Sequence, residues 1–187
     1  DIYVCKSGPP GGERRNNELF INNGDLTFTE KSKDYGLDNE GLSTHAAFFD
    51  FDNDGDLDCY LLNNTIKSIG VGLDMVKGLR DISSDQGNKL LRNDDGYFTD
   101  VSSSAGIYTS NIGFGLGVTV GDINLDGWSD LFISNDFFEK DYLYINNKDG
   151  SFKESLEEYV NETSMGSMGA DMADINNDGY SEIFVTE

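Results

Sequence analysis

The stretch Asp50-Phe51-Asp52-Asn53-Asp54-Gly55-Asp56-Leu57-Asp58 decides how the rest of the chain is read. Five carboxylates in nine residues concentrate like charge, and the pattern recurs. Asp122-Ile123-Asn124-Leu125-Asp126-Gly127-Trp128-Ser129-Asp130 and Asp174-Ile175-Asn176-Asn177-Asp178-Gly179-Tyr180-Ser181-Glu182 follow the same rule. An acid stands first, Asp or Asn third, Asp fifth, Gly sixth and an acid ninth. Internal repeats set the fold class before local propensity does. A hydrophobic run follows each segment at once, at 58–62, 130–134 and 182–186, and Asp1-Ile2-Tyr3-Val4-Cys5 matches these runs. Asp1 therefore reads as the ninth residue of a fourth loop.

A second element also recurs, at Asn17–Phe28, Asn88–Phe98 and Asp141–Phe152. Each copy has apolar alternation, an Asn/Asp-Gly turn and another short alternating run, which is a hairpin signature. The ninth positions fall at 1, 58, 130 and 182, so the periods are 57, 72 and 52 residues. Each period holds about four short strands. We label them A before the acidic loop (43–49, 115–121, 167–173), B after it, C on the Asn-x-Leu element, and D after the turn. Four-stranded antiparallel units repeating in this way predict an all-β chain of β-propeller blades. A solenoid of hairpins is the competing architecture, and no long amphipathic helix interrupts the repeats. The expected division is strands B–D of one blade at 1–42, a full blade at 43–105 with an insertion at 64–87, a full blade at 106–160, and strands A–B of a following blade at 161–187. All four belong to one propeller domain, of which the chain is a segment.

Composition agrees and excludes other classes. The 187 residues carry 35 Asp+Glu against 13 Lys+Arg, a net charge of −22. Such a surface repels phosphate backbones, which argues against a nucleic-acid partner. No apolar run approaches the ~20 residues that span a bilayer. Hydrophobic content of 37% is too high for a disordered acidic tail. Cys5 and Cys59 sit at opposite side-chain parity on equivalent strands and are expected as buried free thiols. The sole histidine, His45, falls on strand A where the other repeats have Gly117 and Gly169, a core or channel-lining position. No Gly-x-Ser-x-Gly, His-Glu-x-x-His, P-loop or Cys-x-x-Cys motif is present, so enzyme function is not expected. Asn63-Asn64-Thr65 and Asn161-Glu162-Thr163 are glycosylation sequons.

The nine-residue pattern is suited to calcium, which takes six to eight hard oxygens in irregular geometry. Side-chain oxygens at the first, third and fifth positions curl toward one centre. Glycine at the sixth allows the sharp turn, the seventh offers its carbonyl, and the ninth closes the shell. The expected Ca²⁺ ligands in three sites are Asp50, Asp52, Asp54, Asp56 and Asp58; Asp122, Asn124, Asp126, Trp128 and Asp130; and Asp174, Asn176, Asp178, Tyr180 and Glu182. Asp56, Trp128 and Tyr180 would ligate through their carbonyls. An EF-hand is excluded because its twelfth-position Glu is replaced by Leu61, Ile133 and Val185, each in a predicted strand.

These residues resemble the FG-GAP/VCBS repeat, the blade of integrin-α-like propellers and of many secreted bacterial proteins. The best stretch runs from Gly113-Phe114-Gly115 through Gly121-Asp122 to Asp130. Ser164–Asp174 is similar to the subgroup that includes cartilage acidic protein. The sequence departs from the pattern at Phe49, where the other repeats have Gly121 and Ala173, and in the insertion at 64–87. The resemblance implies a seven- or eight-bladed parent propeller with calcium loops between strands A and B on one face. It further implies an extracellular, secreted or cell-surface module for adhesion, with a glycan or protein ligand on the opposite face. A polysaccharide lyase or a structural spacer is the alternative.

On this strand order the B–C connections lie across from the acidic loops and hold seven of the 13 basic residues: Lys6, Arg14, Arg15, Lys67, Lys77, Arg80 and Lys140. Arg14, Arg15, Lys77 and Arg80 are therefore expected to hold an anionic partner. Within the insertion, Leu73, Val76 and Leu79 recur at spacing three and predict a helical turn.

Overall fold

The computed structural model describes residues 1–8, 15–65, 79–110, 112–137 and 139–187. Among them, four antiparallel sheets follow one another in chain order. The first contains β1 (Ile2–Val4), β2 (Glu18–Asn22) and β3 (Phe28–Glu30). The second contains β4 (Ser43–Phe49), β5 (Asp58–Asn63), β6 (Lys89–Asp94) and β7 (Tyr97–Asp100). The third contains β8 (Gly115–Gly121), β9 (Asp130–Asn135), β10 (Tyr142–Asn146) and β11 (Phe152–Glu154), and the fourth β12 (Gly169–Ala173) and β13 (Glu182–Thr186). Strands within each sheet are neighbours in sequence order, as the A–D reading of a blade requires. Two single-turn helices, α1 (Ser32–Tyr35) and α2 (Leu156–Tyr159), follow the D strands. The helical turn expected near Val76 lies outside the described residues.

Strand B is the keystone of each complete sheet. All six residues of β5 and of β9 are buried, which explains why both read as continuous apolar runs rather than alternating ones. Alternation then sorts their side chains between two interfaces. Tyr60 and Leu62 join Leu131, Ile133, Tyr142, Tyr144 and Phe152 in a core between the second and third sheets. Cys59 and Leu61 point the other way, to Leu19, Leu91 and Phe98 of the first and second sheets and to Leu37 just after α1. Phe132 points onward to Leu143, Leu156, Ile183 and Val185. The sheets thus stack face to face, and each fully buried side chain of this size contributes roughly 1.5–3 kcal/mol.

The A strands of successive sheets abut. Thr44 Oγ1 donates to the Gly115 carbonyl (3.0 Å) and Thr119 Oγ1 to the Ala170 carbonyl (2.9 Å). Gly115 is required at this seam, because a Cβ there would lie 2.4 Å from Leu62 Cδ1. Ser43 Oγ accepts from Asn17 Nδ2 (2.9 Å) and donates to Asn63 Oδ1 (2.7 Å), and Ser167 Oγ donates to Asp141 Oδ2 (2.8 Å).

His45 is exposed on β4, and its Nδ1 accepts the Val118 N–H at 3.4 Å. Of its two expected placements the core is thereby excluded. Both cysteines are free thiols, Cys59 buried and Cys5 half-buried. Asn63 of the first sequon is 3% exposed, with its Nδ2 donating to the Gly87 carbonyl (2.7 Å), whereas Asn161 of the second is exposed. No helix among the described residues is long and apolar enough to cross a membrane.

Candidate metal centre

The three acidic loops join A to B in their blades and fold by one set of hydrogen bonds. The first-position carboxylate accepts two backbone N–H groups. Asp50 takes those of Asp54 (3.2 Å) and Gly55 (3.1 Å), Asp122 those of Asp126 (2.9 Å) and Gly127 (2.8 Å), and Asp174 those of Asp178 (3.1 Å) and Gly179 (2.8 Å). The fifth-position carboxylate accepts the N–H of the seventh residue: Asp54 from Asp56 (3.0 Å), Asp126 from Trp128 (3.0 Å), Asp178 from Tyr180 (2.9 Å). The ninth acid reaches back to the N–H of the second residue: Asp58 to Phe51 (3.1 Å), Asp130 to Ile123 (2.9 Å), Glu182 to Ile175 (3.0 Å). The longer Glu182 therefore preserves the pattern, and its other oxygen accepts Asn176 Nδ2 at 2.8 Å.

The loop closes through two left-handed residues. Position six is always glycine, at φ of +100°, +86° and +91°. Position four is also left-handed, at Asn53, Leu125 and Asn177 with φ near +60°. Asn tolerates that conformation and Leu does not, so the Leu125 position carries strain that the loop's bonds must hold.

In the first loop, Asp50, Asp52 and Asp58 present oxygens that all lie within 4.8 Å of one another. Asp52 Oδ1 is buried and has no hydrogen-bond partner, a costly state for a carboxylate unless a cation meets it. Burial, with Asp54 and Asp50 adding repulsion, raises the Asp52 pKa. Burial likewise pushes Asp58 up to about 6, against the lowering effect of the Asn93 and Phe51 N–H groups. Burial also raises Asp130. In the first loop two neighbouring carboxylates, Asp52 and Asp58, are both held back from ionising, which fits a hard dication that would restore the charge balance.

One set of residues supporting the loops was not recognised as such in the sequence. The Asn at or next to the end of each C strand donates its N–H to the ninth acid: Asn22 to Asp1 (2.8 Å), Asn93 to Asp58 (2.9 Å), Asn146 to Asp130 (2.8 Å). Asp1 thus makes the bond expected of a ninth-position residue. Each Asn side-chain oxygen also caps its own hairpin, accepting from Gly24, Gly96 and Lys148 at 2.8 Å. Asn146 goes further: its Nδ2 donates to the Phe51 carbonyl of the neighbouring blade's loop (2.8 Å) and to Ser129 O (3.3 Å). The signal was the recurrence of Asn22, Asn93 and Asn146 in the quoted hairpins, where they read only as turn residues.

On the opposite face the charge is less one-sided than the basic residue count implied. Arg80 Nε donates to Glu139 Oε1 at 2.7 Å, with the Glu139 side chain fully buried and the guanidinium over the Tyr108 ring. Lys6 pairs with Glu18, and Lys140 with Glu154 and Glu157. These partners cancel much of the positive potential expected there. Arg15 is half-buried, its side chain close to Gly8. Arg14 and Lys77 lie outside the described residues. The same face carries a half-open cleft of about 440 Å³ lined by Ser83, Ser84, Lys89, Asp100, Ser103 and Thr109.

The FG-GAP-like repeat profile matches residues 1–61 and 122–185, about two thirds of the chain. Both matches end within a B strand; the first spans the loop at 50–58, and the second spans those at 122–130 and 174–182. Comparison with curated proteins found no match. The strand order, the loops and this match lead to one conclusion: the chain belongs to the FG-GAP-like repeat family.

Proposed function

We propose that the chain is a calcium-stabilised segment of an extracellular β-propeller that binds a glycan or protein ligand on the face opposite its metal loops. The observation that carries the calcium reading is the convergence of Asp50, Asp52 and Asp58, with a buried Asp52 oxygen lacking any partner. The residues that would hold the ion are those at positions one, three, five, seven and nine of each loop. Bound calcium would neutralise the carboxylates and tie strand B to strand C through the ninth acid. At 100-fold excess over Kd, each site adds ~2.7 kcal/mol to folding stability. Millimolar affinity, usual for extracellular modules, would confine that gain to calcium-rich surroundings.

Thermal unfolding of metal-stripped protein, followed by titration with Ca²⁺ and Mg²⁺, tests the proposal. The midpoint should rise with Ca²⁺ and respond weakly to Mg²⁺. A midpoint unmoved by chelation would remove calcium from the account. The ligand reading is tested separately by a glycan array with wild type and Arg14→Ala/Arg15→Ala. Equal, featureless binding by both would dismiss an anionic glycan. His45 Nδ1 accepts the Val118 N–H at 3.4 Å, so Nε2 is the nitrogen that the lyase alternative would have to use.

A further inference from the structure

The two complete blades place a cation near their metal loops in different ways. In the earlier blade the C strand carries Arg92, and Asp94 captures its guanidinium through Nε (3.2 Å) and Nη2 (3.0 Å). In the later blade the residue equivalent to Asp94 is the uncharged Asn147. There the hairpin turn brings Lys148 Nζ to 3.3 Å from Asp126 Oδ2 and 3.5 Å from the Asp126 carbonyl. Asp126 is the fifth residue of the second loop, one of the carboxylates offered to the ion.

The placement of Lys148 is built into the turn. Its N–H is held by Asn146 Oδ1 at 2.8 Å, and its backbone is left-handed at φ +65°. Asn146 in turn donates its own N–H to Asp130, the ninth residue of the same loop. Lys148 is thus fixed by the residue that braces the site. The loops also differ in charge: the first holds five carboxylates, the second three, and Lys148 offsets one of those. An ammonium at this distance competes with a dication for the same oxygen.

We propose that Lys148 is an intramolecular competitor for metal at the second loop. The first loop then fills at lower calcium, and the second fills only as Lys148 is displaced into solvent. The segment would read calcium in two steps rather than one. This inference rests on the calcium reading of the loops.

Trp128, the only tryptophan, is the seventh residue of the second loop, so terbium emission sensitised through indole reports that loop selectively. The full chain is titrated with Tb³⁺ as wild type, Lys148→Gln and Lys148→Arg, with calcium-dependent melting measured alongside. Lys148→Gln should tighten indole-sensitised terbium binding about fivefold, the equilibrium weight of an exposed ion pair at the strong end of its range. Lys148→Arg should retain wild-type affinity. Equal affinity in wild type and Lys148→Gln overturns the proposal while leaving calcium binding intact. Absent indole-sensitised emission with a calcium-dependent melt also overturns it, since the second loop then holds no metal. Absence of both signals refutes the calcium reading itself.

Discussion

Asn146→Ala should destabilise the protein far more than Asn93→Ala, although the two residues occupy the same place in successive blades. Asn146 is 2% exposed, and truncation removes donors to Phe51 O (2.8 Å) and Ser129 O (3.3 Å) and the acceptor for Lys148 N–H. Lost bonds of this kind cost roughly 0.5–1.5 kcal/mol each, and a buried carbonyl left without a partner adds about 1–3 kcal/mol. Because the Ser129 bond is long, about 3 kcal/mol is the working total. At roughly 2–4 °C per kcal/mol for a chain of this size, the midpoint should fall by about 6–12 °C. Asn93 Nδ2 reaches only the exposed Leu57 carbonyl at 3.2 Å, so its truncation should cost about 1 kcal/mol. Urea unfolding at saturating calcium measures both, with the m-value as the check that the unfolded reference is unchanged. Equal losses from the two variants would refute the argument, because they would show that the Asn146–Phe51 bond does not join the blades.

Other outcomes follow from the same geometry. In metal-free protein, Asp58 has a folded-state pKa of about 6, above the unfolded value near 3.9. The folded state therefore holds that proton more tightly. Its contribution is present below about pH 4 and lost as pH rises through about 6. Asp58→Asn cannot titrate, so its melting midpoint relative to wild type should fall steadily as pH falls from about 7 to about 4, and a constant difference would contradict the assigned shift. Arg80→Met leaves Glu139 charged and buried, which should cost about 3–5 kcal/mol; the double variant Arg80→Met/Glu139→Gln should recover much of this in urea unfolding. Expressed through a eukaryotic secretory pathway, the chain should carry glycan at Asn161 and none at Asn63, whose amide is committed to Gly87 and Ser43, as intact mass and peptide mapping would show.

The strand order within each sheet was legible because the loops are both frequent and ordered. Three copies of acid-x-Asp/Asn-x-Asp-Gly-x-x-acid placed strands A and B correctly, and the hairpin turns placed C and D. The support for the loops was harder to see. Asn93 and Asn146 reach the ninth acids through backbone N–H groups, which leave no mark on residue type, and their side-chain bonds within the hairpin look like ordinary turn chemistry. The Leu125 backbone is left-handed because its neighbours hold it so, against the preference of leucine. The charge balance of the basic face was not legible, because Arg80 and Lys140 were counted without their partners. Glu139 is far along the chain from Arg80, and Glu154 and Glu157 lie in β11 and α2 away from Lys140, so only folding brings the pairs together.

The seams between sheets give the repeats an address. At one boundary Asn17 meets the hydroxyl of Ser43, at the next Leu62 fills the space that Gly115 leaves open, and at the third Ser167 meets Asp141. The first and third are one kind of lock, a serine hydroxyl at the start of strand A meeting the first residue of a C element, and the second, where Gly115 stands in the serine's place, is another. A blade moved to another place in the chain would set an isobutyl group where a hydroxyl belongs, or leave a void where Leu62 should sit. The repeats share one plan in their loops, but the seam that Leu62 fills is distinct from the two serine seams, so the place of the second and third sheets beside each other is written at their edges.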